Sequence, residues 1–348
     1  MRLVFDLDDT IQFANYRDYN HATPNPSVIE NIRKAKENGA EIIISTARGM
    51  LSCCGDADKA DQKNRSTIEQ WLKKYNVPCD ELRFGKPMAD FYIDDKAVSV
   101  KEFIDVGIER FNGYSGCPVW RVGSKIQKYA PESDKVAFWY KQAQSVSNGL
   151  YRVPEVYSFR EGNIQIEYVD GSIIFKNINK EIIDRLCDIL RQFESCRCLD
   201  NNLDDYISYI EKRCDGMILK RFKEIAETKR NSVEPLFKKG TFCHGDFSTS
   251  NILQGNNGLY LIDPRINRWN TWLLDAAKLR ASLSGLGKIF GDTETHTDLL
   301  RYFDIQFSET EILAIDFLEM TQYIRVLPYA KSKDDAELLK NIITERWC

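Results

Sequence analysis

The chain is short of histidine and has no regular cysteine pattern. Three histidines occur in 348 residues, and only His244 stands in a motif. His21 and His296 carry no spacing signal and read as surface residues. Ten cysteines are present, yet Cys53 and Cys54 are adjacent, Cys196 and Cys198 are one residue apart, and no C-x-x-C pair exists. Zinc sites and disulfide frameworks need more regular spacing, so free thiols in a reducing cytoplasm are expected. No apolar run approaches the roughly 18 residues of a membrane span. The opening MRLVFDLDD has neither an apolar h-region nor a small-residue cleavage site, so no signal peptide is expected there. The formal net charge is -4. Lys and Arg are in excess neither over residues 1–110 nor over the remainder, and no GxxxxGK[ST] loop occurs. A nucleic-acid partner is therefore not expected, and neither is an end-repairing kinase–phosphatase. Internal repeats, low-complexity segments and a Pro/Ser-rich linker are absent as well.

The length suits two domains, and the apolar fraction of 43% lets each bury a core. Residues 1–110 alternate strand and helix. Leu3 to Phe5 reads as a short buried strand and Pro26 to Asn38 as a helix, with Val28, Ile29, Ile32 and Ala35 on one face. Glu41 to Ser45 is a buried strand, Ser66 to Tyr75 a helix, and Phe91 to Ile93 a strand ending at Asp94-Asp95. Such alternation predicts a parallel α/β sheet, whose ligands sit at the carboxyl ends of strands. From about residue 111 the pattern changes. Val119–Val122 and Lys125–Tyr129 flank Gly123-Ser124 as a hairpin. Pro154–Phe159 and Asn163–Val169 add strands, and from about Asn177 the chain is mostly helical, save for a β-like stretch near Gly258–Ile262. The expected organisation is a domain over 1–110, then a two-lobed α+β domain over 111–348, with lobes of about 111–175 and 176–348.

Two constellations carry phosphate chemistry. The first is FDLDDT, Phe5 to Thr10. A strand ending in D-x-D offers a carboxylate nucleophile and an acid for the leaving group. In that order Asp6 attacks phosphorus, while Asp8 protonates the leaving alkoxide and then activates water. Thr46 ends the second strand with a hydroxyl for phosphate, and Lys86 screens Asp6 and the phosphate together. Asp94 and Asp95, with Asp6 and Asp8, complete an all-oxygen Mg²⁺ site. DLDDT, IIISTAR, Lys86 and YIDD, in that order, resemble the four motifs of the haloacid dehalogenase superfamily over residues 1 to about 105. The resemblance implies a Rossmann-like phosphatase domain and an aspartyl-phosphate intermediate. No large cap insertion is present. Gly49 to Asn64 reads as a small polar loop, either solvated or lying over the site.

The second constellation is HGDFSTSN, His244 to Asn251, followed by LIDPR, Leu261 to Arg265. Phosphoryl transfer needs a positioned base and oxygen ligands for charge neutralisation. The segment resembles the aminoglycoside phosphotransferase and choline kinase families, which share a protein-kinase-like fold. That resemblance implies Asp246 as base toward a substrate hydroxyl, Asn251 and Asp263 as Mg²⁺ ligands on the phosphates of ATP, His244 as a brace, and Asp275 as a structural acid. For the nucleotide it implies Lys128 as the phosphate lysine, Glu167 to Val169 as the adenine-facing segment, and Gly113 to Gly116 as a covering loop. The helix expected to supply a glutamate to the lysine, about Lys135 to Gln144, contains no acid, although Glu132 precedes it. Trp269 and Trp272 read either as lobe packing or as a platform for a sugar or cation.

Together these readings predict a cytoplasmic bifunctional enzyme. It is a Mg²⁺-dependent phosphatase joined to an ATP-dependent small-molecule kinase, working on sugar or polyol phosphates. The resemblance suggests surface-polysaccharide precursors, such as those of capsules, as the setting. The alternative is an active phosphatase joined to a nucleotide- or substrate-binding pseudokinase.

Overall fold

The structure is a computed structural model that describes residues 1–14, 18–89, 92, 96–112, 118–160, 162–214, 216–286, 296–330 and 332–347. The chain divides into two compact units, Met1–Pro131 with Val156–Tyr168, and Glu132–Glu155 with Val169–Cys348.

In the first unit, β1 (Arg2–Phe5), β4 (Glu41–Ser45) and β5 (Glu81–Arg83) form a parallel sheet in the order β1-β4-β5. The Ile42-Ile43-Ile44 run of β4 is completely buried, as a central parallel strand requires. β1 is buried only in part: Phe5 is buried but Val4 is 61% exposed, because β1 has a sheet neighbour on one side only among the described residues. β5 was not anticipated. Its sequence, ELR, is too short and polar to show a strand period, and it forms by pairing with β4. The expected strand at Phe91 to Ile93 lies outside the described residues, apart from Tyr92. β2 (Gln12–Phe13) and β3 (Thr23–Pro24) make a two-residue ladder beyond β1.

Helix α1 (Pro26–Glu37) starts where the Asn25 side chain accepts the Val28 N–H, with proline in the first turn. Its buried residues are Val28, Ile29, Ile32 and Ala35. α2 (Ala57–Lys74) begins nine residues before the expected Ser66, capped by Asp56, which accepts the Lys59 N–H. Its first turns are polar and bury only Ala60, so hydrophobic periodicity could not reveal them. Gly49 to Asn64 is accordingly a short run of turns leading into α2, not a loop throughout. α3 (Val100–Val106) is capped by Ser99.

A second sheet of this unit is antiparallel: β6 (Ile108–Asn112), β7 (Pro118–Val122), β8 (Lys125–Tyr129), β9 (Val156–Arg160) and β10 (Asn163–Glu167), in the order β6-β7-β8-β10-β9. The β7–β8 hairpin turns at Gly123-Ser124, where Gly123 has φ +60°. Ile108 and Trp120 join the buried cluster that contains Ile32, Ile44 and Trp71, so the second sheet shares a core with the first. The change of pattern near residue 111 thus marks the end of α/β alternation, whereas the unit continues to Pro131.

The second unit contains α4 (Ser133–Val146), the small antiparallel sheet β11 (Gly171–Ile173), β12 (Ile252–Gly255) and β13 (Gly258–Leu261), and seven further helices among the described residues. These are α5 (Lys180–Ser195), α6 (Leu203–Glu211), α7 (Gly216–Phe237), α8 (Trp272–Leu283), α9 (Thr297–Asp304), α10 (Glu309–Val326) and α11 (Lys333–Trp347). α8 is apolar on nearly all sides and runs through the core, with every residue buried except Lys278. No helix among the described residues is long and apolar enough to cross a membrane. Arg280 of α8 pairs with Asp304 of α9 (2.8 Å) and with Glu319 of α10, and Arg346 of α11 bonds the same Glu319 at 2.7 Å. Glu319 is completely buried and shared by two guanidinium groups, which also meet Asp304 and Asp316 at the edge of the network. Glu319→Ala is expected to cost about 3–5 kcal/mol by removing the buried carboxylate common to both cations. Urea denaturation checks this, and a loss below about 1 kcal/mol would show that the network is dispensable.

Candidate active sites

In the first unit the chain leaves β1 at Asp6 and turns sharply. The Ile11 and Gln12 N–H groups both donate to Leu7 O (3.0 and 3.1 Å), and Asp9 adopts φ +59°. Asp6 Oδ1 lies 3.0 Å from Lys86 Nζ, and that ammonium also sits 4.2 Å from the centre of the Tyr92 ring. Thr46 follows β4, is completely buried, and accepts the Arg48 N–H at 3.0 Å. Asp8 is fixed from two sides. Gln12 Nε2 donates to its Oδ1 at 2.8 Å, and Arg48 donates to Oδ1 and Oδ2 at 2.5 and 3.2 Å. Burial raises the Asp8 carboxyl above its ordinary range although Arg48 pulls the other way.

Arg48 is the residue that sequence reasoning passed over. It stands in the quoted IIISTAR, where only Thr46 was given a role. Its side chain is 3% exposed, stacks 4.0 Å from the centre of Tyr19, and holds the carboxylate expected to serve as acid. Asp94 and Asp95 lie outside the described residues. Among the described residues no three His, Cys, Asp or Glu side chains gather for a metal. The Asp6 carboxylate is a hard oxygen donor of the type Mg²⁺ prefers.

In the second unit the segment from Thr241 to Asn251 is held from below by α8. Asp275 is completely buried and accepts the backbone N–H groups of His244 (2.5 Å) and Gly245 (2.8 Å). Burial pushes its carboxyl up to about 7, against those two bonds. His244, also completely buried, has its pKa pulled down to about 4 by burial. Its Nε2 donates to Ile262 O at 2.9 Å and its Nδ1 accepts the Asp246 N–H at 3.3 Å, so a single neutral tautomer satisfies both bonds. The ring is therefore a brace between the loop and the strand end that delivers Asp263.

Asp246 projects past this brace. Its Oδ1 is 2.9 Å from Lys278 Nζ, and its Oδ2 accepts from Asn251 Nδ2 at 3.1 Å. Burial works to raise this carboxyl, but the Lys278 ammonium outweighs it and holds the group below the ordinary range. Because Asn251 uses its NH₂ on Asp246, at O (2.9 Å) and at Oδ2, its amide oxygen is the end available to a hard cation. Asp263, at φ +58°, presents a second oxygen ligand, and its N–H donates to Tyr140 of α4 at 3.2 Å. This donor set fits Mg²⁺. Lys278 and Tyr140 are the functional candidates missed in the sequence. The sequence WLLDAAKL, Trp272 to Leu279, offers one signal for Lys278, a lysine in a largely apolar helix.

The remaining expected residues fall as follows. Lys128 lies on β8 and is half-buried, on the row that runs through Phe111, Val119, Ile164 and Phe159. Glu167 ends β10 opposite Lys125, and Val169 opens the return of the chain into the second unit. Gly113 to Gly116 lie outside the described residues. Glu132 precedes α4 and pairs with Lys135 in the first turn of that helix. Trp269 and Trp272 are both buried, against Tyr209 and Phe307, so they are packing residues and not a ligand platform. His296 is not a surface residue: it is half-buried with its ring edge-on to Phe175. His21 is exposed and pairs with Asp18. A cleft of about 380 Å³ opens beside the loop, lined by Phe138, Trp139, Thr241, Cys243, Arg265 and Asn267 among others, and Asp246 is not in its lining.

No family model and no curated protein matches the chain. A structural-genomics target from Vibrio cholerae, whose description names no activity, is 41% identical, covering 30% of this chain and 89% of its own, with a TM-score of 0.30. Over that share the two chains belong to one family. A putative fructosamine-3-kinase from Haemophilus somnus is 14% identical over 68% of this chain and 90% of its own, with a TM-score of 0.46. A choline/ethanolamine kinase family protein from Mesorhizobium loti is 16% identical over 69% and 86%, also with a TM-score of 0.46.

Gly245 holds the loop geometry through its φ of +82°, and a Cβ there would lie 2.0 Å from Arg265 O. Gly245→Ala is expected to destabilise the second unit by at least about 1–3 kcal/mol and to displace Asp246. Thermal denaturation checks the first effect. An unchanged melting temperature would show that the loop relaxes freely.

Proposed function

We propose that the second unit transfers the γ-phosphoryl group of ATP to a hydroxyl of a small molecule. The observation that supports this reading best is the state of Asp246. It is a half-buried carboxylate held ionised by Lys278 and oriented by Asn251, beside two oxygen ligands suited to Mg²⁺. Asp246 takes the proton of the attacking hydroxyl. The new O–P bond forms as the bond to the β-phosphate oxygen breaks, and ADP leaves. Asn251 and Asp263 would hold the Mg²⁺, which neutralises phosphate charge when bound. Past Asp134 in its first turn, α4 carries no acid. It braces the site with Trp139, donating to Cys243 O at 2.7 Å, and with Tyr140, accepting from the Asp263 N–H.

A second activity is favoured by the separate Asp6–Lys86 and Asp8–Arg48 pairs. Asp6, 3.0 Å from the Lys86 ammonium, is suited to attack phosphorus. Asp8, with its raised carboxyl, is suited to give a proton to the departing alkoxide. Water then cleaves the aspartyl phosphate, with Asp8 as base. The chain would thus be a bifunctional phosphatase and kinase, with sugar or polyol substrates of the kind used for surface polysaccharides as the setting suggested by the sequence resemblance.

Asp246→Asn is expected to lower ATP-dependent phosphorylation by about 10²–10⁴-fold while ADP still binds. Activity within a few-fold of the parent would remove Asp246 as base. Mg²⁺–ATP binding with no transfer to any acceptor would favour the pseudokinase alternative. Asp6→Asn is expected to abolish phosphate-ester hydrolysis and leave ADP formation intact, followed by separate phosphate-release and ADP assays. Hydrolysis that survives at near-parental rate would rule out Asp6 as nucleophile.

A further inference from the structure

We propose that the cleft beside the His244–Asn251 loop is a separate ligand site of the second unit. Its occupant is a small zwitterion with an apolar body, of the kind that free amino acids and dipeptides provide, and it acts on the loop as an effector. The site stands independently of the kinase reading, and the effector role rests on it.

The cleft, about 380 Å³, falls within the range of small-ligand sites, roughly 300–1,000 Å³. One wall is α4 and another is the segment 265–270, and every lining residue belongs to the second unit. Phe138 is 59% exposed in the α4 wall, beside the buried rings of Trp139 and Phe242, so the cleft presents an aromatic surface to an apolar body. Charge selects the rest of the ligand. The lining carries three charged side chains, Asp134, Lys135 and Arg265. Lys135 is taken by Glu132. Asp134, in the first turn of α4, and Arg265 are both exposed, and among the described residues neither side chain has a hydrogen-bond or ion-pair partner. One open carboxylate and one open guanidinium therefore stand on two walls of one cleft. A plain anion gains Arg265 but meets Asp134, and a plain amine gains Asp134 but meets Arg265. A zwitterion pairs with both, its carboxylate on the guanidinium fork.

The same walls hold the loop. Asp275 of α8 accepts the N–H groups of His244 and Gly245, whereas three successive carbonyls are bonded by residues of the cleft. Trp139 Nε1 donates to Cys243 O at 2.7 Å, the Arg265 N–H to His244 O at 3.0 Å, and Asn267 Nδ2 to Gly245 O at 3.0 Å. The next residue is Asp246. A ligand bound to Arg265 and covering Phe138 thus loads the donors that set the backbone leading into that carboxylate.

The test is calorimetric binding to the full chain without nucleotide. Four probes share one ring: phenylalanine, glycyl-phenylalanine, 3-phenylpropionate and 2-phenylethylamine. The first two are zwitterions with their charges at two spacings, and the others carry one charge each. One zwitterion is expected to bind with a Kd of about 1 mM or below, at least about tenfold tighter than either singly charged probe. Phe138→Ala, at an exposed position, should weaken it by about tenfold with a native melting curve. Asp134→Asn should erase the preference over 3-phenylpropionate, and Arg265→Gln the preference over 2-phenylethylamine. No binding by either zwitterion, equal binding by a singly charged probe, or zwitterion affinity unchanged in all three variants overturns the site. The effector role is read from the Kd of Mg²⁺–ATP, which should shift by about fivefold or more when the zwitterion is bound. An unchanged Kd overturns that role. Failure to bind Mg²⁺–ATP at all overturns the kinase reading and the effector role together, while the four-probe comparison still decides the site.

Discussion

The geometry of the second unit depends on the Asp275 carboxyl under the His244–Asn251 loop. Burying a carboxyl is costly unless it is hydrogen-bonded, and here the backbone N–H groups of His244 and Gly245 bond one oxygen each. The exchange fixes both partners. The loop gains acceptors for N–H groups that no secondary structure could satisfy, and α8 gains the reason to carry an acid through an apolar core. One turn along the same helix, Lys278 emerges at the only position of α8 that is not buried and reaches the side chain of Asp246. A single rigid helix thus sets the backbone of the loop with one residue and the charge of its functional carboxylate with another. His244 ties this assembly to Ile262, and so to the turn that carries Asp263.

The first unit solves a similar problem with different parts. Its carboxylates stand just past the end of β1. Lys86 and Arg48 supply the compensation from two other segments. The division between them follows chemistry. Lysine is a mobile point charge and faces one oxygen of Asp6. Arginine, with its planar fork, bonds both oxygens of Asp8 and fixes the orientation of that carboxyl.

Much of this was legible in the sequence, for reasons that can be named. The EIIIS strand, the Pro26 helix and the Gly123-Ser124 hairpin each carry a local signal strong enough to survive any tertiary context, and all three form as expected. The motif residues Asp6, Asp8, Thr46 and Lys86 are near one another in sequence or at strand ends, so their convergence follows from sheet topology. What was not legible depends on partners far away in the chain. β5 exists only because β4 offers a ladder, and the polar start of α2 rests on a cap at Asp56. Arg48 looked like an ordinary motif neighbour until its burial showed that it needed a carboxylate. His296 gave no signal, since its packing on Phe175 spans more than a hundred residues of chain.

The absence of an acid from Lys135 to Gln144 of α4 illustrates the same limit from the other side. Pattern matching asks for a residue type at a position, whereas the structure asks only that the site be held. Trp139 and Tyr140 contact the catalytic segment through an indole N–H and a phenol oxygen, one at Cys243 O and the other at the Asp263 N–H. Neither contact carries charge, and both involve backbone atoms, so side-chain complementarity in the sequence could not announce them. Asp263 itself sits at φ +58°, a conformation that costs a non-glycine residue roughly 1–3 kcal/mol. A strained backbone needs support at the point of strain, and the Tyr140 hydroxyl supplies it there. The support comes from α4 as a hydrogen bond to the main chain, and it holds the Asp263 backbone without a charged partner.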